Sequence, residues 1–193
     1  PIGVGPPFQA WVEDGHVGRG PLLEPAPRKA EDPGRRGPGR PVGGSASGVV
    51  PVFSEGVKEA GIAPELWVEP GRYLVGDSTI LLAGVTSVKE AHRRFVNVDA
   101  GFNLLARPVM YGAYHQVVVA NKADRLPAHR YAIAGPICET GDLLAEDREL
   151  PSIEAGDLIA VLDTGAYGFA MSSQYNLRPR CAEVLVKGGD AAL

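Results

Sequence analysis

The residues of this chain that can do chemistry fall in four short runs. Gly135-Pro136-Ile137-Cys138-Glu139-Thr140-Gly141-Asp142 sets a thiol beside a carboxylate, with a second acid just behind them. The two glycines permit backbone angles that other residues resist, so Cys138 and Glu139 can be presented on a tight turn. Taken alone, the octapeptide also fits a surface loop with an incidental cysteine. Glu69-Pro70-Gly71-Arg72 separates an acid from a base by Pro-Gly, so the two need not neutralise each other. A surface turn with a solvated ion pair is the plainer reading of that tetrapeptide. Arg107 and Tyr111 stand four apart and share a face if their stretch is helical, where together they could hold a carboxylate. The alternative pairs Arg107 with a nearby acid such as Asp99 and packs Tyr111 in the core. Tyr167, in Gly165-Ala166-Tyr167-Gly168, has small neighbours that let its ring approach a ligand, and it would also fit a core or interface position. His115 reads as structural, because no second ligand residue stands at metal spacing and no metal site is expected.

The elements that must position these residues begin only after an unusual head. Residues 1–47 hold nine of the 17 prolines and ten of the 25 glycines, with Arg35, Arg36 and Arg40 clustered near the end. Such a segment buries little apolar surface and is expected to be disordered or extended, or foreign to the fold; Pro33-Gly34-Arg35-Arg36-Gly37-Pro38-Gly39-Arg40-Pro41 blocks both helix and ladder hydrogen bonding. From residue 49 the apolar spacing predicts an amphipathic helix ended by Pro64, then a short strand at 66–68. Helix, turn and strand make one α/β step of a barrel, with Glu69 to Arg72 at the strand's C-terminal end, where barrel enzymes place their chemistry. Strands are expected at 80–88, 95–98, 117–120, 131–134, 158–162 and 182–186, a turn or short helix at 101–105 and a short helix at 171–176. Strand after strand with glycine and proline punctuation indicates a β-sandwich or barrel.

A chain of 193 residues can bury the core of one domain. A formal net charge of -4 argues against a nucleic-acid partner. No apolar run approaches the roughly 18 residues of a membrane span, and the start lacks a basic segment followed by an apolar one, so the cytoplasm is the expected place. Cys138 and Cys181 are expected as free thiols.

In their order and spacing the four runs resemble the C-terminal half of diaminopimelate decarboxylase, a pyridoxal-phosphate enzyme of the alanine-racemase-like fold. The similarity takes in Glu69-Pro70-Gly71-Arg72-Tyr73-Leu74-Val75-Gly76, Arg107-Pro108-Val109-Met110-Tyr111-Gly112-Ala113-Tyr114-His115, the run around Cys138, and Asp163-Thr164-Gly165-Ala166-Tyr167-Gly168-Phe169-Ala170-Met171. It runs from about Val49 to the last residue and does not reach the first 47. The fold it implies is α+β and mainly β. The last strand-helix unit of an (α/β)8 barrel would lie over 48–78 and the C-terminal β-sandwich or barrel domain of a fold-type III pyridoxal-phosphate decarboxylase over 79–193. The activity it implies is decarboxylation of meso-2,6-diaminopimelate to L-lysine, by a homodimer whose site is shared across the interface.

The resemblance also implies roles for single residues. Glu69 would keep the pyridine nitrogen of pyridoxal 5'-phosphate protonated. Gly71, Arg72 and Tyr167 would bind the cofactor, with Arg72 and Tyr167 also close to substrate. Arg107 and Tyr111 would hold the distal carboxylate, and Glu139 the distal ammonium. Cys138 would return a proton to the α-carbon after decarboxylation, since a thiol with the ordinary pKa of about 8.5 is mostly protonated at neutral pH. Cys138 and Glu139 would reach into the partner's site. Thr140 stands where serine is common in the family, and Glu139 where ornithine and arginine decarboxylases usually carry aspartate. Residues 172–180 would dock the sheet domain on the barrel and take no catalytic part. The family's Schiff-base lysine has no counterpart among Lys29, Lys58, Lys89, Lys122 and Lys187, so the chain reads as a fragment that is inactive by itself. Two other readings stand beside this one: a decarboxylase for another basic amino acid or a carboxylated polyamine precursor, and a non-catalytic dimerisation or ligand-binding module of the same fold.

Overall fold

The computed structural model describes the backbone of residues 8–13 and, in full, Glu69 and residues 71–193. The described residues are mainly β. Among them nine strands form one sheet in the order β6-β5-β3-β2-β1-β8-β9, with β7 pairing both β2 and β4. β2 (Thr79–Glu90) is the strand the others share. Its first half lies between β1 (Phe8–Glu13) and β7 (Leu158–Val161), both antiparallel to it, and its second half pairs with β3 (Arg94–Val98). The register shifts between Val85 and Ser87, where β2 changes partner. An extra residue at such a point bends and twists a strand, which curls the sheet toward a barrel. Asp99 fastens the bend, its Oδ1 accepting the Gly84 N–H at 2.8 Å while its own N–H donates to the Gly84 carbonyl at 3.1 Å.

The sequence of β2 explains why it takes this place. Thr79, Leu81, Ala83 and Val85 alternate and are all buried, so one face of the pleat carries the core. β4 (Val117–Val119), β5 (His129–Ala134) and β7 add Val117, Val119, Ile133 and Ile159, all almost wholly buried. Each such aliphatic side chain contributes about 1.5–3 kcal/mol through removal from water. β6 (Leu143–Leu150) closes against β5, and β8 (Ala182–Lys187) runs parallel to β1 and pairs β9 (Asp190–Ala192).

Several expectations change. Phe8–Glu13 is a strand of the sheet, within a head expected to lie outside the fold. Pairing on both sides, to β2 and to β8, supplies the hydrogen bonds that its proline-rich surroundings cannot. The short helix expected at 171–176 is instead two separate 3₁₀ turns, Phe169–Met171 and Tyr175–Leu177: Ser172 between them is extended, with ψ of 150°, and Asn176 and Leu177 both adopt φ of +57°. Two left-handed residues in a row cannot continue a right-handed helix. The strands at β6 and β9 are additions. The helix expected over 49–62, the strand at 66–68 and the Pro33 to Pro41 run lie outside the described residues.

Candidate active site

Two short helices carry the cationic residues. In α1 (Gly71–Val75), Arg72 is exposed, and its guanidinium lies 5.4 Å from the centre of the Tyr167 ring. The approach depends on Gly165. A Cβ there would run into the Val75 carbonyl and stand 2.7 Å from Ser78 Oγ, so only glycine lets the Gly165-Ala166-Tyr167-Gly168 turn rest on the end of α1. The turn is fixed by the Gly165 N–H donating to the Gly76 carbonyl at 3.1 Å and the Thr164 N–H to the Thr79 carbonyl at 2.9 Å. Tyr167 itself has φ of +62°, a conformation that an aromatic residue adopts only under constraint, and it stays half-exposed over Arg72.

α2 (Arg107–Tyr111) starts with proline in its first turn and ends at Gly112, whose φ is +61° and whose N–H donates to the Pro108 carbonyl at 2.9 Å. Its first residue, Arg107, is only 5% exposed. The guanidinium donates from Nη1 to His115 Nε2 at 3.1 Å. Burial lowers the Arg107 pKa from the ordinary arginine value, and the positive charge of Arg72 pushes the same way, while Tyr111 and Tyr167 pull against both. Arg72, Tyr111 and Tyr167 are thereby each within electrostatic reach of Arg107. Among the described residues neither arginine has an acid in an ion pair. Two guanidiniums and two phenols without a carboxylate suit an anion such as a phosphate or a carboxylate.

The thiol lies on a different turn, organised by Asp142. This buried carboxylate accepts the Phe102 N–H at 2.6 Å through one oxygen and the Ile137 N–H at 2.7 Å through the other. Gly101 and Gly135 make room for it, since a Cβ on either would collide with the carboxylate or with Ile137. Burial raises the Asp142 pKa, against the two backbone N–H bonds and the positive charge of Arg178. The next amide, Cys138 N–H, donates to Asn176 Oδ1 at 3.0 Å. Cys138 and Glu139 are both exposed. Cys181 is a buried free thiol.

The structure thus brings the predicted residues together in two groups rather than one. Arg72, Arg107, Tyr111 and Tyr167 form the first, and Cys138 with Glu139 the second. Among the described residues no hydrogen bond, ion pair or ring contact joins them. They lie on different sides of α2: Arg107 faces inward to His115, whereas a Cβ on Gly141 of the thiol turn would stand 2.7 Å from Val109 Cγ2. Residues two apart on a helix point about 200° apart. Glu69 is exposed beside α1, its carbonyl accepting the Gly71 N–H at 2.9 Å, and Gly71 has open space where a Cβ would be. The pairing of Arg107 with Asp99 and the burial of Tyr111 do not occur, for Asp99 is engaged at Gly84 and Tyr111 is 61% exposed. Of the lysines, Lys122 is bound to Asp157 at 2.7 Å and Glu154 at 3.1 Å, which raises its pKa, the reverse of what a nucleophile needs. Lys29 and Lys58 lie outside the described residues. Asp142 and Asn176 had no assigned role in the sequence reading; the glycines facing Asp142 were the only signal of the first.

A barrel-like sheet that carries an acid-free pair of arginines on one side of a short helix and a thiol turn on the other defines a class. The chain belongs to the pyridoxal-dependent decarboxylases, whose C-terminal sheet domain matches residues 19–165. Within that family it is 59% identical to a diaminopimelate decarboxylase of Archaeoglobus fulgidus over 143 residues, 74% of this chain and 34% of the relative. It is 50% identical to one from Methanothermobacter thermautotrophicus over 145 residues, 75% of this chain and 34% of the relative. Among solved structures, the diaminopimelate decarboxylase of M. jannaschii in co-complex with L-lysine matches with a TM-score of 0.62 and 36% identity, covering 76% of this chain and 33% of that one. The chain therefore spans about a third of the length of the curated relatives it matches.

Proposed function

We propose that this chain forms the C-terminal part of a cytoplasmic diaminopimelate decarboxylase, which converts meso-2,6-diaminopimelate to L-lysine and carbon dioxide as a homodimer. The observation that carries this reading is the convergence of Arg72, Arg107, Tyr111 and Tyr167 without an acid, in a chain 59% identical to a protein of that name. The same convergence fits pyridoxal 5'-phosphate, because a phosphate and two carboxylates must be held and the described residues supply guanidiniums and phenols for them. When bound, the cofactor supplies an electron sink for the bond to the departing carboxylate.

In this reading Tyr167 would donate its hydroxyl to the phosphate and Arg72 would match phosphate or substrate carboxylate as a fork. Glu69 would pair with the ring nitrogen, and Gly71, with open space where a Cβ would be, would let the cofactor come close. Arg107 and Tyr111 take the distal carboxylate and so fix which end of the molecule reacts. From the other subunit, Glu139 holds the distal ammonium and Cys138 delivers its thiol proton to the α-carbon once carbon dioxide has left; water then restores the proton. The placement of the two groups on different sides of α2 favours a site completed across a dimer. So do exposed apolar side chains around it, among them Leu74, Met110 and Leu177, the last 97% exposed.

The test is to join this chain to a barrel half that bears a cofactor lysine and to measure lysine and carbon dioxide from meso-diaminopimelate, with ornithine, arginine and a carboxylated polyamine as competitors. Turnover of meso-diaminopimelate above the others supports the reading. Preference for a substrate without a second amino-acid head overturns it.

A further inference from the structure

His115 is 1% exposed and both its ring nitrogens are engaged. Nδ1 lies 3.0 Å from the Leu162 carbonyl and Nε2 lies 3.1 Å from Arg107 Nη1. A carbonyl can only accept and a guanidinium can only donate, so the proton must sit on Nδ1 and the lone pair on Nε2. A second proton would turn Nε2 into a donor facing a donor. The surroundings oppose that proton, because burial lowers the His115 pKa and Arg107, Arg148 and Arg72 act in the same direction, against the bond to Leu162. Arg148 also steadies the segment, its Nη2 3.4 Å from the His115 carbonyl and its guanidinium 3.9 Å from the centre of the Tyr114 ring. Among the described residues the His115 ring is the one hydrogen-bonding partner of the Arg107 side chain.

We propose that His115 is a positioning residue: as a neutral acceptor anchored on Leu162, it aims the Arg107 guanidinium at the distal carboxylate of the substrate. The inference rests on the reading of Arg107 given above. It explains how a cation can be kept buried beside Arg72 without a carboxylate that would compete with the substrate. A neutral lone pair orients the guanidinium and leaves its charge uncompensated for the incoming anion.

The test uses the full-length dimeric enzyme carrying this sequence. His115→Phe should raise KM for meso-diaminopimelate about tenfold, the low end of what a charged hydrogen bond controls, with a smaller change in kcat. His115→Gln, which keeps an acceptor, should recover part of that loss. In an Arg107→Ala background, His115→Phe should add little to KM, because the interaction it removes is already gone. An equal KM penalty with and without Arg107 overturns the proposal. Nitrogen-15 spectra of the wild-type enzyme decide the point independently of turnover and of whether the Phe variant folds: a protonated Nδ1 and bare Nε2 at neutral pH are expected, and a protonated Nε2 refutes it. If wild-type enzyme ignores meso-diaminopimelate, the substrate reading fails while those spectra still judge the geometry of His115.

Discussion

Replacing Asp142 by alanine should damage the thiol turn more than any other single change in it. The carboxylate satisfies two backbone N–H groups from different segments, Phe102 at 2.6 Å and Ile137 at 2.7 Å, and is itself buried. Alanine leaves both donors without a partner, and each buried unsatisfied donor costs about 1–3 kcal/mol. Part of that is offset because the variant no longer buries a charge, so a net loss of about 2–4 kcal/mol is expected. Asp142→Asn keeps one accepting oxygen and turns an NH₂ toward the other amide, so it should lose roughly half as much. Urea unfolding followed by circular dichroism reads the loss as a shift in midpoint at unchanged slope. The dependence on pH gives a second reading. Burial raises the folded pKa of Asp142 above the ordinary 3.8, so the folded chain binds this proton more readily than the unfolded one. Stability from this group is then greatest at low pH and declines as pH rises from 3.8 through the raised value, and Asp142→Asn should flatten that part of the curve. An alanine variant within about 0.5 kcal/mol of wild type, the range of an inert surface change, would refute this account of the turn.

Asn176→Gly keeps a residue tolerant of φ near +57° but removes the acceptor for Cys138 N–H, so kcat in the full-length enzyme should fall roughly tenfold, whereas Asn176→Asp should retain most activity. Gly165→Ala drives a methyl into the Val75 carbonyl and should cost about 1–3 kcal/mol of unfolding free energy by urea titration, with a weaker grip on phosphate as α1 moves from Tyr167. Borohydride treatment of this chain with pyridoxal phosphate should leave no stoichiometric adduct on one lysine by mass spectrometry, since Lys122 is held as a cation by Asp157 and Glu154.

The strands that could be read from the sequence are those whose side chains sort by the pleat. Thr79 to Ala83 alternates buried with half-buried residues, and Val117 to Val119 and Ile159 to Val161 are apolar runs that the sheet largely buries. β6 was illegible because Glu146, Asp147, Arg148 and Glu149 form a charged run in its middle, and Asp147 breaks the pleat with φ of +53°. β1 was hidden because its strand character comes from partners on β2 and β8 rather than from its surroundings in sequence. Of the site, each motif offered residue types suited to a stated chemistry. Their grouping did not, because it depends on Gly165 seating one turn on α1 and on Gly141 packing the other against α2. Asp142 was legible only as a second acid behind the thiol, and Asn176 only as part of the docking segment 172–180, since a side chain that caps amides from other segments has no local signature.

In the proposed homodimer one chain supplies Arg107 to one site and Cys138 to the other. Full-length Arg107→Ala enzyme, weak at meso-diaminopimelate well below its raised KM, and Cys138→Ala enzyme, short of its proton donor, should regain activity at that substrate concentration when their subunits are exchanged. Random exchange makes half the dimers mixed and each then holds one intact site of two, so roughly a quarter of wild-type activity is expected. If subunit exchange is proven and no activity returns, Arg107 and Cys138 serve the same site from the same chain, and the account is contradicted.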